Sequence, residues 1–324
     1  MEWPAFGPGA ELYALLGHIL TGAFILLILS SREETQSPFG WILAVVLIPW
    51  LAGPAYLIFG GYRVRRVARR RTQRDRAFLQ ALPSDLGGLP RPFPPDRPLP
   101  TPQRAAREDY PDTTGNDVAV FGHGEEKYAR LEADIRSARD YILLAYYVWA
   151  FDATGRWLRD LLVEKAREGV EVRVLYDAWG ATAAGWLLLP LKQAGGRVRA
   201  FAPLLSPWSV LGANLRNHRK IAVIDGRIAY TGGINIGDDY RGRIGVRLWK
   251  DLHLRIEGPV TRQITSVFAK DWHYVTGEAL VAERYYPRTS ADGPSVCRVL
   301  PSGPDRKSTR LNSSHVRISY AVFC

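Results

Sequence analysis

Thiols are scarce in this chain: of its 324 residues only Cys297 and Cys324 are cysteines. Two are too few for a disulfide framework, and their separation matches no zinc-site spacing. No cluster of His, Cys, Asp and Glu suggests a metal, and no cofactor is expected. Acidic charge is short as well. Asp and Glu number 32 against 43 Lys and Arg, a formal net charge of +11. Such an excess suits nucleic acid, an anionic membrane or an acidic substrate, so its location has to decide among them. Apolar residues are plentiful, at 47%, enough for one good-sized core plus extra segments.

Charge is missing altogether from two early runs, Leu12 to Leu29 and Pro38 to Tyr62. At a rise of about 1.5 Å per residue, each is long enough to cross roughly 30 Å of hydrocarbon. A signal peptide would start basic and end at a small-residue cleavage site; here Glu2 and Glu11 precede the first run and a second run follows at once. The expectation is a two-helix transmembrane hairpin over residues 1–62, with spans at about 12–29 and 38–62. Pro49 and Pro54 should kink the second helix, and Trp41 and Trp50 suit interfacial or packing positions. Eight arginines follow, from Arg63 to Arg76, whereas the loop between the runs carries little net charge. The positive-inside rule then puts this end and the N-terminus in the cytoplasm of a cell membrane, crossed more than once. A basic run abutting a span also attracts anionic lipid headgroups, at about 1 kcal/mol per residue near the surface. Nucleic acid is therefore not expected as a partner.

Residues 63–115 read as this basic segment followed by an extended, proline-rich linker, densest between Pro83 and Pro111. A globular domain is expected over 116–304. Tyr128, Leu131, Ile135 and Ala138 have helical spacing, and Tyr141 to Trp149 reads as a strand buried on both faces. A helical stripe through Trp157, Leu158, Leu161, Leu162 and Ala166 comes next, stopped by Gly169. A strand over Val170 to Tyr176, a helix near Gly185 to Gln193 and a strand at Arg197 to Phe201 continue the alternation. The expected fold class is α/β, a sandwich with a mainly parallel sheet. Trp249 to Ile256 alternates as a further strand with Leu252, Leu254 and Ile256 on one face, and a helix begins near Gly258-Pro259. His253 on that strand is expected to be a hydrogen-bonded sheet residue, with a role beside the motif below as the alternative.

The densest chemistry lies in Asn217 to Tyr240, NHRKIAVIDGRIAYTGGINIGDDY. Apolar, largely β-branched residues flank Asp225-Gly226, which makes the stretch a hairpin, because Asp-Gly takes the positive φ angles of a tight turn. His218 and Lys220 are two apart and point to one side of an extended strand. An imidazole and an ammonium directed into one cleft suit attack on a phosphodiester: the ring is the nucleophile, and the cation holds the non-bridging oxygens. Gly232 and Gly233 allow backbone to approach a ligand, and Asn235 offers an amide donor. Asp225 is a catalytic candidate whose alternative is a turn or structural role.

This pattern, His218-x-Lys220, Asp225, then Gly232, Gly233 and Asn235, resembles the signature of the phospholipase D superfamily. With the two apolar runs, the basic segment, AYYVWAFDATG, VRVLYDAWG and WKDLHLRIEGP, the chain resembles the first part of a bacterial cardiolipin synthase of that superfamily. The resemblance covers most of the chain to about Pro304 apart from the linker. It implies a phospholipase D-like α/β sandwich and a phosphohistidine on His218, with Lys220 and Asn235 on the phosphate. It further implies phosphatidyl transfer between two phosphatidylglycerol molecules with release of glycerol.

Such enzymes carry the motif twice, and here no second copy occurs; His315-Val316-Arg317 has Arg in place of Lys. Arg306 to Cys324 resembles read-through of a sequencing adapter, so 305–324 is expected to be a non-native tail and the second catalytic half to be missing. A homodimer partner is the other way to complete the site. Two further readings stay open. One is a membrane-tethered phosphodiesterase or nuclease of the same chemistry, and the other a membrane-bound half without turnover.

Overall fold

The computed structural model describes residues 8–30, 38–59, 78, 81–82, 110–201, 217–242, 249–290, 292–301 and 320–323. The chain divides into two compact units, Met1–Arg70 and Arg71–Cys324. The arginine run, the proline-rich linker and most of the expected tail lie outside the described residues.

In the first unit, helix α1 covers Pro8–Ser30, α2 Pro38–Leu47 and α3 Pro49–Phe59. The second expected helix is thus broken at Ile48, just before Pro49, whose ring cannot sit under an unbroken turn. Pro54 lies inside α3. Phe24, Ile28, Val45, Ala52 and Tyr56 pack between the helices, and Trp41 meets Tyr56 edge-on at 5.4 Å. Ile19, Leu26, Leu43, Leu47 and Leu51 point outward, more than half exposed. Among the described residues no helix is long and apolar enough to cross a membrane. The side chains of residues 8–14 in α1 lie outside the described set.

In the second unit, strand β1 covers Thr113–Phe121, α4 Gly124–Ser137, β2 Tyr141–Tyr146, α5 Ala153–Arg167 and β3 Glu171–Asp177. Two short helices follow, α6 (Ala184–Leu187) and α7 (Leu189–Gln193), then β4 (Arg197–Phe201), β5 (Ile221–Ile224) and β6 (Ile228–Gly232). The rest is α8 (Asp238–Arg241), β7 (His253–Glu257), α9 (Val260–Thr276), β8 (Ser295–Pro301) and β9 (Tyr320–Phe323). β1 begins inside the stretch read as linker, and its polar Thr113, Asn116 and Asp117 hid it.

The strand order is β4-β3-β2-β5-β6-β7-β1-β8-β9. Among the described strands β2–β3 and β3–β4 pair in parallel and the other strand pairings are antiparallel. The mainly parallel sheet is therefore corrected to a mixed one. Parallel neighbours need long helical crossovers, which α5 and α6–α7 supply, whereas a turn as short as Asp225–Arg227 can only reverse the chain.

Alternation along the strands splits the core in two. Ile142, Leu144, Tyr146, Val172 and Val174 face α4 and α5, while Leu143, Ala145, Leu175, Ile221 and Val223 face α9. One buried ion pair ties α4 to the sheet. Asp134 of α4 accepts from Arg255 Nε of β7 at 2.6 Å and from its Nη2 at 3.2 Å, and the Tyr230 hydroxyl also donates to it. Asp134→Ala would leave the buried Arg255 guanidinium with only the more exposed Glu257 as its carboxylate partner among the described residues. A loss of about 3 kcal/mol or more is expected, read as a lower urea midpoint at unchanged slope.

Candidate functional site

The register brings seven chain ends to one edge of the sheet. Ala145 pairs with Ile221, Ile221 with Thr231, Gly232 with His253 and His253 with Phe121, while Asp177 pairs with Phe201. His218 and Lys220 sit here, in the extended segment that leads into β5 rather than in the strand.

That segment is held by buried carboxylates. The Asn217 backbone N–H donates to Asp177 Oδ2 at 3.1 Å, and its side-chain amide donates to Asp271 Oδ2 at 3.0 Å. Arg219 pairs with the same Asp271, and its N–H donates to Asn217 Oδ1 at 3.1 Å. Thus Asn217 and Arg219 turn inward and are tied down. His218 and Lys220, on alternate positions, are left facing the other way, and both meet Tyr147. The His218 ring stacks on Tyr147 with centroids 3.8 Å apart, and Lys220 Nζ lies 5.6 Å from the centre of that ring. Lys220 Nζ also donates to the His218 carbonyl at 2.7 Å.

Asn235 joins them through the strand edge. Buried, it accepts from the Val148 N–H at 3.1 Å through Oδ1 and donates to the Tyr240 hydroxyl at 2.9 Å. An Asn amide has two N–H groups, and this bond uses one of them. Burial pulls Lys220 down to about 8, opposed by the Asp251 carboxylate. The same carboxylate acts on Tyr240, whose hydroxyl is pushed up mainly by burial. His218, Lys220, Asn235, Tyr147, Tyr240 and Asp251 are therefore linked through shared neighbours, an imidazole ring, an amine and an amide at one edge of the sheet.

Residues 131–272 match the family described as "Cardiolipin synthase, PLD-like domain", and residues 19–61 match "Phospholipase_D-nuclease N-terminal". A cardiolipin synthase of Geobacillus kaustophilus (strain HTA426) is 34% identical over 297 residues, 88% of this chain and 58% of that protein. One from Staphylococcus aureus (strain Mu50) is 31% identical over 334 residues, covering 94% of this chain and 65% of that one. Residues 131–272 thus belong to the phospholipase D-like domain family of cardiolipin synthases. It spans about three fifths of the length of these curated relatives. The crystal structure of the phospholipase D family member Nuc from Salmonella typhimurium is 19% identical, with a TM-score of 0.38 over 49% of this chain and 95% of that one.

Not every expected site residue of this phospholipase D-like domain comes to the edge. Asp225 lies past the far end of β5, about 13 Å of strand away for four residues. With φ at 49° it occupies the turn, and its carboxylate accepts from the N–H groups of Arg139, Asp140 and Tyr141 at 2.8–2.9 Å. That geometry fits the structural alternative and places no catalytic atom near His218. Gly232 and Gly233 do reach the edge, but the close approach they permit is to the segment that leads into β7. A Cβ on Gly232 (φ 151°) would meet Leu252 O at 2.4 Å, and one on Gly233 would meet Asp251 Oδ2 at 2.0 Å.

His253 departs from expectation. It is fully buried, and neither ring nitrogen has a hydrogen-bond partner among the described residues. Burial pushes it well below the ordinary histidine value, and the charges of Lys127 and Lys220 push the same way. Leu252, read as sharing a face with Leu254 and Ile256, lies before the strand and is exposed. Asn217, Asp177, Asp271 and Tyr147 were missed: each is polar or aromatic in an otherwise ordinary segment, and only long-range contact makes them part of the site.

Since Lys220 in the folded chain holds its proton less tightly than an ordinary lysine, its burial costs stability below about pH 8, and that cost shrinks as pH rises toward 10.5. Acylation of Lys220, followed by mass spectrometry across pH, should reach half its maximal rate near pH 8 and lower still in Asp251→Asn. A midpoint near 10.5 would contradict the burial of its amine.

Proposed function

We propose that this domain carries the first catalytic half of a phosphatidyltransferase that makes cardiolipin from two molecules of phosphatidylglycerol. The supporting observation is the convergence of His218 and Lys220 on the Tyr147 ring, with the Lys220 ammonium on the His218 carbonyl. A ring nitrogen of His218 attacks the phosphorus of one phosphatidylglycerol. The bond to the headgroup glycerol breaks, and glycerol leaves with a proton supplied by the histidine of a second motif. Lys220 and the remaining amide N–H of Asn235 hold the non-bridging oxygens as charge builds on them. A hydroxyl of the second phosphatidylglycerol then attacks the phosphohistidine, the N–P bond breaks, and the hydroxyl proton passes to the second histidine. One phosphodiester replaces another, so the exchange is near thermoneutral. Asp225 keeps a structural place in this scheme, pinning the start of β2 from the far end of the hairpin.

The second motif comes from the further length that the relatives possess or from a partner copy. Two long acyl chains tie the substrate to a bilayer, because each methylene drawn into water costs about 0.8 kcal/mol. A membrane hairpin in residues 1–62 is part of the same reading. Its support is the two uncharged runs, the match of residues 19–61 to the family described as "Phospholipase_D-nuclease N-terminal", and helices that turn Ile19, Leu26, Leu43, Leu47 and Leu51 outward. The arginine-rich end then lies in the cytoplasm of a bacterial cell membrane, with the catalytic domain.

Two measurements test this. In the chain extended to the length of its relatives, His218→Ala should lower glycerol release from phosphatidylglycerol by more than about a thousandfold, and Lys220→Ala by about a hundredfold. Retained turnover in His218→Ala removes the ring from its role. For topology, a cysteine in 31–37 should react with an impermeant maleimide on intact cells, and one in 63–76 only after permeabilisation; the reverse pattern overturns the orientation.

A further inference from the structure

Apolar side chains on the second unit are not scattered. Among its described residues, those more than half exposed and large are Val120, Phe151, Trp179, Trp186, Trp249 and Leu252. All lie at the sheet edge that carries His218. Val120 is one residue from Phe121, which pairs with His253. Phe151 follows β2, and Trp249 and Leu252 precede β7. Trp179 follows β3, and α6 with Trp186 packs back toward the same edge, since a Cβ on Gly185 would lie 3.0 Å from the Tyr176 hydroxyl.

Trp186 is 80% exposed, a large cost in water for a big, mostly apolar ring system. The stretch that bears it, from Ala178 to Leu191, has no formal charge over its fourteen residues. Exposed cations stand among these rings, Arg156 beside Phe151 and Lys250 beside Trp249. At the opposite end of the sheet the surface is of another kind, with Arg136, Arg139, Lys165 and Glu168 around a cavity of about 410 Å³. Indole rings interspersed with cations are the chemistry of a bilayer interface, where the ring lies among acyl carbons and the N–H and cations meet headgroups.

We infer that Phe151, Trp179, Trp186, Trp249 and Leu252 form an interfacial rim that seats the domain on an anionic phospholipid surface with the His218 edge facing the headgroups. The inference rests on the proposed lipid substrate and deepens it. A two-chain phospholipid leaves the bilayer only at a large cost, so its phosphate is reached by bringing the site to the surface. The rim does this, and Trp249 is tied to the site through its ring contact with Tyr240, 6.5 Å between centroids, which in turn bonds Asn235.

Fluorophores placed on Trp179→Cys and Trp186→Cys in the chain extended to the length of its relatives, with its other exposed cysteines changed to serine, test it against Arg167→Cys on the far end of α5. In phosphatidylglycerol vesicles containing lipids nitroxide-labelled near the glycerol, both rim probes should be quenched at least about threefold more than the probe at 167. Equal quenching at all three positions overturns the inference. So does a rim probe already shielded in detergent and unchanged by lipid, which would assign the face to a second copy of the domain or to the second half. Glycerol release measured on the same vesicles separates the two readings: turnover without rim quenching removes only the rim, and rim quenching without turnover removes only the proposed reaction.

Discussion

Two buried carboxylates, Asp177 and Asp271, hold the four residues on which the site depends. Asn217 and Arg219 are drawn inward to them, one by its backbone and amide, the other by its guanidinium. In an extended segment that commitment sends the alternate side chains, His218 and Lys220, to the opposite side. The two carboxylates come from different layers, Asp177 from the end of β3 and Asp271 from α9. The pose of the motif is thus a property of the packed sandwich rather than of the hairpin alone.

The same logic runs through the other loops of this edge. Asp238 accepts from the Thr154 N–H and hydroxyl, Asp152 accepts from the Asp238 N–H, and Ala150 and Ile236 share a backbone bond. Loops that would otherwise move are thereby fixed to one another around Asn235, which spends its carbonyl on Val148. Preorganisation of this kind is what lets a few donors act on a phosphoryl group without first reorganising. Beneath the edge lie Lys127 and His253, both fully buried, with no hydrogen-bond partner for the Lys127 ammonium or the His253 ring among the described residues. Burial lowers the pKa of both groups.

Much of the fold was legible because period and punctuation agree. The stripe Leu158, Leu161, Leu162 gave α5, the run YILLAY gave β2, and Asp225-Gly226 gave the turn between β5 and β6, with Asp225 at φ 49°. Strand β1 escaped because Thr113, Asn116 and Asp117 carry no apolar alternation, and its place is set by pairing with β7 and β8. The balance of parallel and antiparallel pairs was misjudged for a related reason: alternation of helices and strands is local, while pairing is not. Buried Arg255 and Asp134 likewise look like surface residues until β7 and α4 meet.

By itself the sequence put an imidazole, an amine and an amide, His218, Lys220 and Asn235, within one short stretch of chain. It also determined the family, whose signature is a local string. Only the tertiary structure decided which members of that string share a site. Asp225 is seven residues from His218 yet is carried away by the length of β5, whereas Tyr147 and Asp251, tens of residues off, are brought beside Lys220. Distance along a strand grows with every residue, but distance across a sheet is one hydrogen bond per strand, and no local pattern encodes which strands are neighbours.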